Sequence, residues 1–168
     1  MISAFLSKLL TTRQASFTEE GIEIFDLNFN MQPLLSLVKF QNETDDGEKM
    51  EKLGYFISES IITHFKKRFA IEEKKMTNLW TNIFDLSGFG KVQVVNVTKE
   101  KTILKLEKNN FARLYVENYG VQKQPICHLL AGIFKNFVEK TSGIKVEAKE
   151  ISCIAMGNRV CTFELRTK

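Results

Sequence analysis

EAKEISCIAMGNRVCTF, residues 147–163, is the stretch on which the reading of this chain turns. Cys153 and Cys161 bracket Met156, Gly157 and Asn158. A three-residue loop there, with Gly or Asn in the left-handed conformation, closes an antiparallel hairpin and sets the two cysteines opposite one another. Opposed residues have Cβ atoms about 4.5–5.5 Å apart. Two sulfurs so placed can share a metal, form a strained disulfide or simply pack. Glu150 stands three residues before Cys153, and in a flat strand those two face opposite ways. They reach one point only if the strand bulges or bends between them.

Working outward, PICHLLAG (residues 125–132) opens a helix predicted over 125–141 and closed by Gly143. Cys127 falls in its first turn and shares a face with Leu130, Ala131 and Phe134, so it points inward. A helix N-terminus lowers a thiol pKa, which favours the thiolate that a metal requires. His128 projects about 100° away from Cys127, which suits a surface or supporting role better than a share in the same ion. Three cysteines are an odd number, which argues against a disulfide framework.

Upstream, a short amphipathic helix is expected over 2–13, with Ile2, Phe5, Leu6, Leu9 and Leu10 on one side. A hairpin turning at Glu19, Glu20 and Gly21 follows, then a helix over 31–40 begun by Asn30 and Pro33, then an acidic loop over 41–47. Helical spacing resumes from Glu48 through Leu53, Phe56, Ile57, Ile61, His64, Phe65 and Phe69. A second run over 71–86 aligns Met76, Leu79, Trp80, Ile83 and Phe84, and stops at Gly88 and Gly90. Three strands are expected over 91–97, 102–107 and 111–118, with a turn at Asn109 and Asn110. Two more, over 144–154 and 160–166, flank the cysteine hairpin. The order predicts an α+β fold, a mostly antiparallel sheet packed against helices. No linker divides it: residues 1–46 and 47–168 belong to one globular unit.

The residues just quoted, Pro125 with Cys127, Ala131 and Gly132, then Glu150, Cys153, Gly157 and Cys161, resemble the 4-vinyl reductase domain family. That family includes effector-sensing domains of phenol- and xylene-responsive regulators and archaeal proteins called hydrocarbon-binding. It shares its fold with subunits of the transport protein particle tethering complex. The signature covers residues 120–166. The order of elements agrees over 48–118, and the match over the first 46 residues is weak.

The resemblance implies a structural zinc held by Cys127, Glu150, Cys153 and Cys161. Three thiolates and a carboxylate make a closed shell with a formal charge near −2; Lys123, Lys149 and Arg159 lie nearby in sequence to offset it. It also implies a ligand pocket between the 48–86 helices, the 91–118 strands and the helix after Pro125. Ala131 and Ala148 replace larger pocket residues of the relatives, and Leu106 stands near the place of a phenol-binding Trp. Phe65, Trp80 and Phe84 are further wall candidates. An apolar or aromatic small molecule is therefore expected, in a chamber set apart from the metal shell. The relatives pair through N-terminal elements, which implies a homodimer using residues 1–40 and a regulatory protein partner. The alternative is a scaffold module without a soluble ligand.

Composition narrows the field further. The 168 residues are 43% apolar and 26% charged, with eleven Gly and Pro in all, as in a soluble globular domain. Residues 91–168 hold fourteen basic against seven acidic side chains, but scattered rather than stacked in a patch for nucleic acid. No apolar run is long enough to span a bilayer, and the N-terminus lacks a basic, uninterrupted leader pattern, so a cytoplasmic location is expected. No Ser-His-Asp order, phosphate loop or HExxH is present, and Gly88-Phe-Gly90 precedes a strand rather than a helix. An enzyme is not expected.

Overall fold

The computed structural model describes residues 4–70 and 73–168. Its first elements are small: helix α1 (Ala4–Thr11), then an antiparallel meander of β1 (Ala15–Phe17), β2 (Ile22–Ile24) and β3 (Leu27–Phe29). The expected turn at residues 19–21 joins β1 to β2, and a third strand extends the hairpin. On α1, Leu9 is buried within the chain while Leu10 is 40% exposed; Ile2 lies outside the described residues.

Helix α2 (Leu34–Thr44) enters at Pro33 and runs through 41–44, which composition predicts as loop. The reason is Gln41, which is buried and donates from Nε2 to the Ile126 carbonyl at 2.7 Å. Asp45, left-handed at φ 46°, ends the helix, and Asp46 caps the next by accepting from the Lys49 N–H at 2.9 Å. That next helix, α3 (Gly47–Phe69), is followed by α4 (Glu73–Leu86), β4 (Lys91–Val97) and β5 (Lys101–Glu107).

Residues 111–118 are a helix, α5 (Asn110–Tyr119), and not the strand expected from the sequence. Two forces decide this. Asn109 caps the first turn, its Oδ1 accepting from the Ala112 N–H at 3.2 Å. The buried residues Phe111, Ala112 and Tyr115 fall at helical spacing rather than in alternation.

The chain closes with α6 (His128–Ser142), β6 (Val146–Ser152) and β7 (Cys161–Thr167). The main sheet is antiparallel in the order β4-β5-β7-β6. Its inner face carries Leu104, Leu106, Phe163 and Leu165, each fully buried. Helix α6 lies between this sheet and α3. Covered on both sides, it buries ten of its fifteen residues, the pattern of a core helix.

The α3–α6 contact is unusually close because each helix offers a glycine to the other's backbone. A Cβ at Gly132 would press on the Glu51 carbonyl, 2.7 Å from its carbon and 2.8 Å from Tyr55 N. One at Gly54 would lie 2.9 Å from the Leu129 carbonyl carbon. Among the described residues, no helix is long and apolar enough to cross a membrane.

Candidate metal centre and the adjoining groove

Three elements converge on one buried point. Cys127 is the N-cap of α6 and not a first-turn residue, its carbonyl accepting from the Ala131 N–H at 2.9 Å. Cys161 opens β7, opposite Leu106 of β5. Cys153 leads into a single 3-10 turn, Ile154–Met156, ended by Gly157 at φ 86°. The hairpin connection therefore fills residues 153–160, longer than the expected three-residue loop, and Asn158 braces it by donating from Nδ2 to the Cys153 carbonyl at 3.1 Å.

Glu150 joins the cysteines through a bulge. In the β6–β7 ladder Glu150 faces Phe163 and Ser152 faces Thr162, leaving Ile151 without a partner. The extra residue shifts the alternation by one, so Glu150 and Cys153 both turn inward. This is the distortion that a shared point requires.

The four donor atoms lie within 4.8 Å of one another. Cys127 Sγ is 3.8 Å from Cys153 Sγ and 3.9 Å from Cys161 Sγ, and all three cysteines are free. Tetrahedral zinc with bonds of about 2.3 Å to sulfur separates its sulfurs by about 3.8 Å. One Glu150 oxygen accepts from the Cys127 N–H at 3.0 Å, while the other, Oε1, is buried without a hydrogen-bond partner. A buried carboxylate oxygen in that state is costly unless a cation takes it. The donor set and the orphaned oxygen both fit a divalent metal.

The electrostatics describe the same need. Burial, and then the neighbouring Cys153, push the Glu150 carboxyl up to about 8. Burial also pushes the Cys127 thiol well up, overriding the helix-terminus effect expected from the sequence. Hydrogen bonds from Cys127 and Cys161 hold Cys153 far below the usual thiol range. At Cys161 the Cys127 bond acts downward, but Cys153 and burial outweigh it. Without a cation, then, the cluster stabilises one thiolate and resists further negative charge.

Lys123, Lys149 and Arg159 are exposed and make no ion pair with the cluster among the described residues, so they do not supply the expected compensation. Backbone and amide N–H groups do. Ile154 N donates to Cys161 Sγ at 3.3 Å, and Asn109 Nδ2 lies 3.2 Å from both Cys127 Sγ and Cys161 Sγ. The sequence reading misses Asn109, because an Asn-Asn pair between apolar runs signals a turn before it signals a helix cap.

The ligand candidates separate into two groups. Ala131 and Ala148 border one groove of about 310 Å³, together with Pro125, His128, Cys127 and Glu150. Phe65, Trp80, Phe84 and Leu106 do not line it. Trp80 instead stacks on Phe137 at 3.9 Å and on Phe84 at 5.3 Å. Phe134 continues the packing to Phe163 at 4.8 Å. Phe65 packs edge-on against Phe25 at 5.5 Å, and Leu106 is fully buried behind Cys161. The expected chamber apart from the metal shell is thus corrected: aromatic rings pack between α4, α6 and the sheet, and the two alanines face a groove that shares its wall with the metal cluster.

A larger groove of about 660 Å³ shares Glu51 and Ala148 with it and is ionic. Glu51 pairs with Lys135 at 2.8 Å, and Glu139 with Lys145 at 3.0 Å. His64 is a satisfied histidine, its Nε2 2.8 Å from the Phe25 carbonyl. His128 borders the first groove but does not belong to the cluster.

With this geometry in view, residues 105–167 match the family model of the 4-vinyl reductase domain. The chain carries a 4-vinyl reductase domain. The matched span contains Asn109 and all four residues of the cluster. No curated protein sequence matches the chain. Among solved structures, the chain is similar to the phenol-responsive sensory domain of the transcription activator PoxR, crystallised with phenol. The TM-score is 0.81 at 14% identity, covering 99% of this chain and 92% of that one. It is similar to a vinyl-4-reductase family protein from Methanocaldococcus jannaschii, with TM-score 0.58, 18% identity and 100% and 97% coverage. It is also similar to trafficking protein particle complex subunit 3 from Naegleria fowleri, covalently bound to palmitic acid. There the TM-score is 0.54 at 15% identity, over 80% of this chain and 90% of that one. At these identities the likeness establishes the fold, which for this 4-vinyl reductase domain is the expected α+β arrangement.

Proposed function

We propose that this 4-vinyl reductase domain is a small-molecule sensor module, stabilised by a zinc ion held by Cys127, Glu150, Cys153 and Cys161, and without catalytic activity. The observation that carries this reading is the buried cluster of four donor atoms within 4.8 Å, joining the start of α6 to the β6–β7 hairpin. Three sulfurs and one carboxylate fill a tetrahedral shell, leaving no position for a reacting water; the metal's contribution is to folding. The ligand is an apolar or aromatic molecule seated against Ala131 and Ala148. A groove of about 310 Å³ is of the size that small ligands occupy, and the PoxR sensory domain, which binds phenol, shares the fold. The protein acts as a homodimer through residues 1–40 and signals through a regulatory protein partner in the cytoplasm.

Native mass spectrometry tests the metal directly. One zinc per chain is expected, and Cys161→Ser should lower zinc content and melting temperature together. Full occupancy after replacement of three of the four residues would overturn the reading.

A second reading, an assembly scaffold of the kind the trafficking complex subunit represents, draws on a different observation. On α3, Leu53 is 39%, Phe56 50% and Ile57 36% exposed, at the i, i+3, i+4 spacing of a single helix face. Such a stripe is suited to a protein partner. Loss of the hydrophobic-probe site with retention of partner binding would favour it.

A further inference from the structure

We propose that Asn109 is a positioning residue of the metal centre: its forked amide sets the Cys127 and Cys161 sulfurs relative to one another and ties the metal shell to the start of α5. The proposal rests on the metal reading above. Asn109 is fully buried, and both ends of its amide are used. Oδ1 accepts from the Ala112 N–H at 3.2 Å, which fixes the orientation of the group. Turned over, the amide would set its NH₂ against an N–H and its carbonyl against two sulfurs. In the observed orientation Nδ2, with two hydrogens, lies 3.2 Å from each sulfur. Those sulfurs come from elements 34 residues apart, and no other side-chain amide bridges them among the described residues.

The corner around Asn109 is built to hold that position. Lys108, just before it, takes the left-handed conformation at φ 51°, uncommon for a residue with a side chain. Asn110, just after it, is anchored the opposite way: its N–H donates to the Phe89 carbonyl at 2.9 Å and its Nδ2 to the Gly88 carbonyl at 2.7 Å. One Asn faces the sulfurs and the next faces the α4–β4 turn. Metal occupancy is thereby linked to the order of α5 and of that turn. Supporting groups that orient metal ligands commonly change affinity 10- to 100-fold when removed.

The test uses cobalt(II) on the full chain, with Asn109→Ser and Asn109→Asp. Both substitutes keep an N-capping oxygen. Serine loses the reach to the sulfurs, and aspartate keeps the size but turns an acceptor toward them. Cobalt affinity should fall about 10- to 100-fold in the serine variant and at least as far in the aspartate variant. The thiolate-to-cobalt charge-transfer band should shift, and the metal-free melting temperature of Asn109→Ser should stay near that of the parent. Metal loading should slow hydrogen exchange at the Ala112 amide in the parent and not in Asn109→Ser. Parent-like affinity and an unshifted band in both variants would overturn the proposal. So would an equal loss of melting temperature with and without metal, at unchanged band position, because Asn109 would then act as a cap alone. If the parent itself binds neither cobalt nor zinc, the metal reading fails first and this proposal falls with it.

Discussion

Gly132→Ala adds a single methyl group at the point where α6 meets α3. On an exposed helix the change would stabilise, since alanine exceeds glycine in helix propensity by about 1 kcal/mol. Here the new Cβ would sit 2.7 Å from the Glu51 carbonyl carbon and 2.8 Å from Tyr55 N, where ordinary contact begins at 3.4 Å. Both neighbours are helical backbone, so neither can swing aside; the helices must separate by roughly 0.7 Å or more, the shortfall from ordinary packing. Overpacking of a core costs about 1–3 kcal/mol, and more where backbone must move. Set against the propensity gain, the expected net loss is about 2 kcal/mol, or about 4–8 °C in melting temperature for a chain of this size. Equilibrium unfolding in guanidinium measures it. Metal content should drop as well, because α6 carries Cys127 at its start and the displacement moves that sulfur relative to Cys153 and Cys161. A Gly132→Ala protein as stable as the parent would refute the reasoning, since the propensity term would then be the only one acting.

Other outcomes follow from the same structure. Ala131→Phe should reduce binding of the fluorescent probe anilinonaphthalene sulfonate by filling the groove; because Cys127 and Glu150 share that wall, zinc is measured in the same sample, and undiminished probe binding would count against a ligand there. Glu139 is raised by burial, but the Lys145 bond, the Val146 N–H and Tyr55 outweigh that and leave its pKa lowered from 4.5. A lowered acid contributes stability above its unfolded-state pKa and loses it as pH falls through the folded-state value. The metal-free parent should therefore weaken below about pH 4.5, with a flatter acid limb in Glu139→Gln when unfolding is followed by circular dichroism. Sedimentation should give a dimer at tens of micromolar, a range in which weak interfaces persist, and a Leu10→Asp variant should shift it toward monomer; a monomeric parent would dismiss the dimer.

The parts of the fold that were legible in the sequence are those where one physical signal dominates. The glycines at 88 and 90 stop α4, and Gly157 marks the last hairpin, because few other residues suit those backbone angles. The metal cluster was legible because sulfur chemistry leaves little choice of role at that spacing. The misread segments are those where two signals compete. Residues 111–118 mix aromatic and β-branched residues with a helical stripe, and the cap at Asn109 settles the matter through one hydrogen bond that composition does not reveal. Gln41 reads as a loop residue until the Ile126 carbonyl is seen waiting for it. The ligand groove was least legible, since the aromatic residues that look like pocket walls satisfy one another. No spacing rule distinguishes Trp80 stacked on Phe137 from Trp80 facing a cavity.

Ile151 is the residue that the β6–β7 ladder leaves uncounted, and its side chain is 52% exposed. What the site asks of this position is one unit of chain length and nothing of its chemistry. Any side chain that tolerates a strand should serve at 151. Removing the residue would instead restore even pairing and swing Cys153 to the far side of the sheet, away from Glu150. A survey that replaces residues one at a time would pass over this position as dispensable, and one that excises them would find it among the least forgiving in the chain.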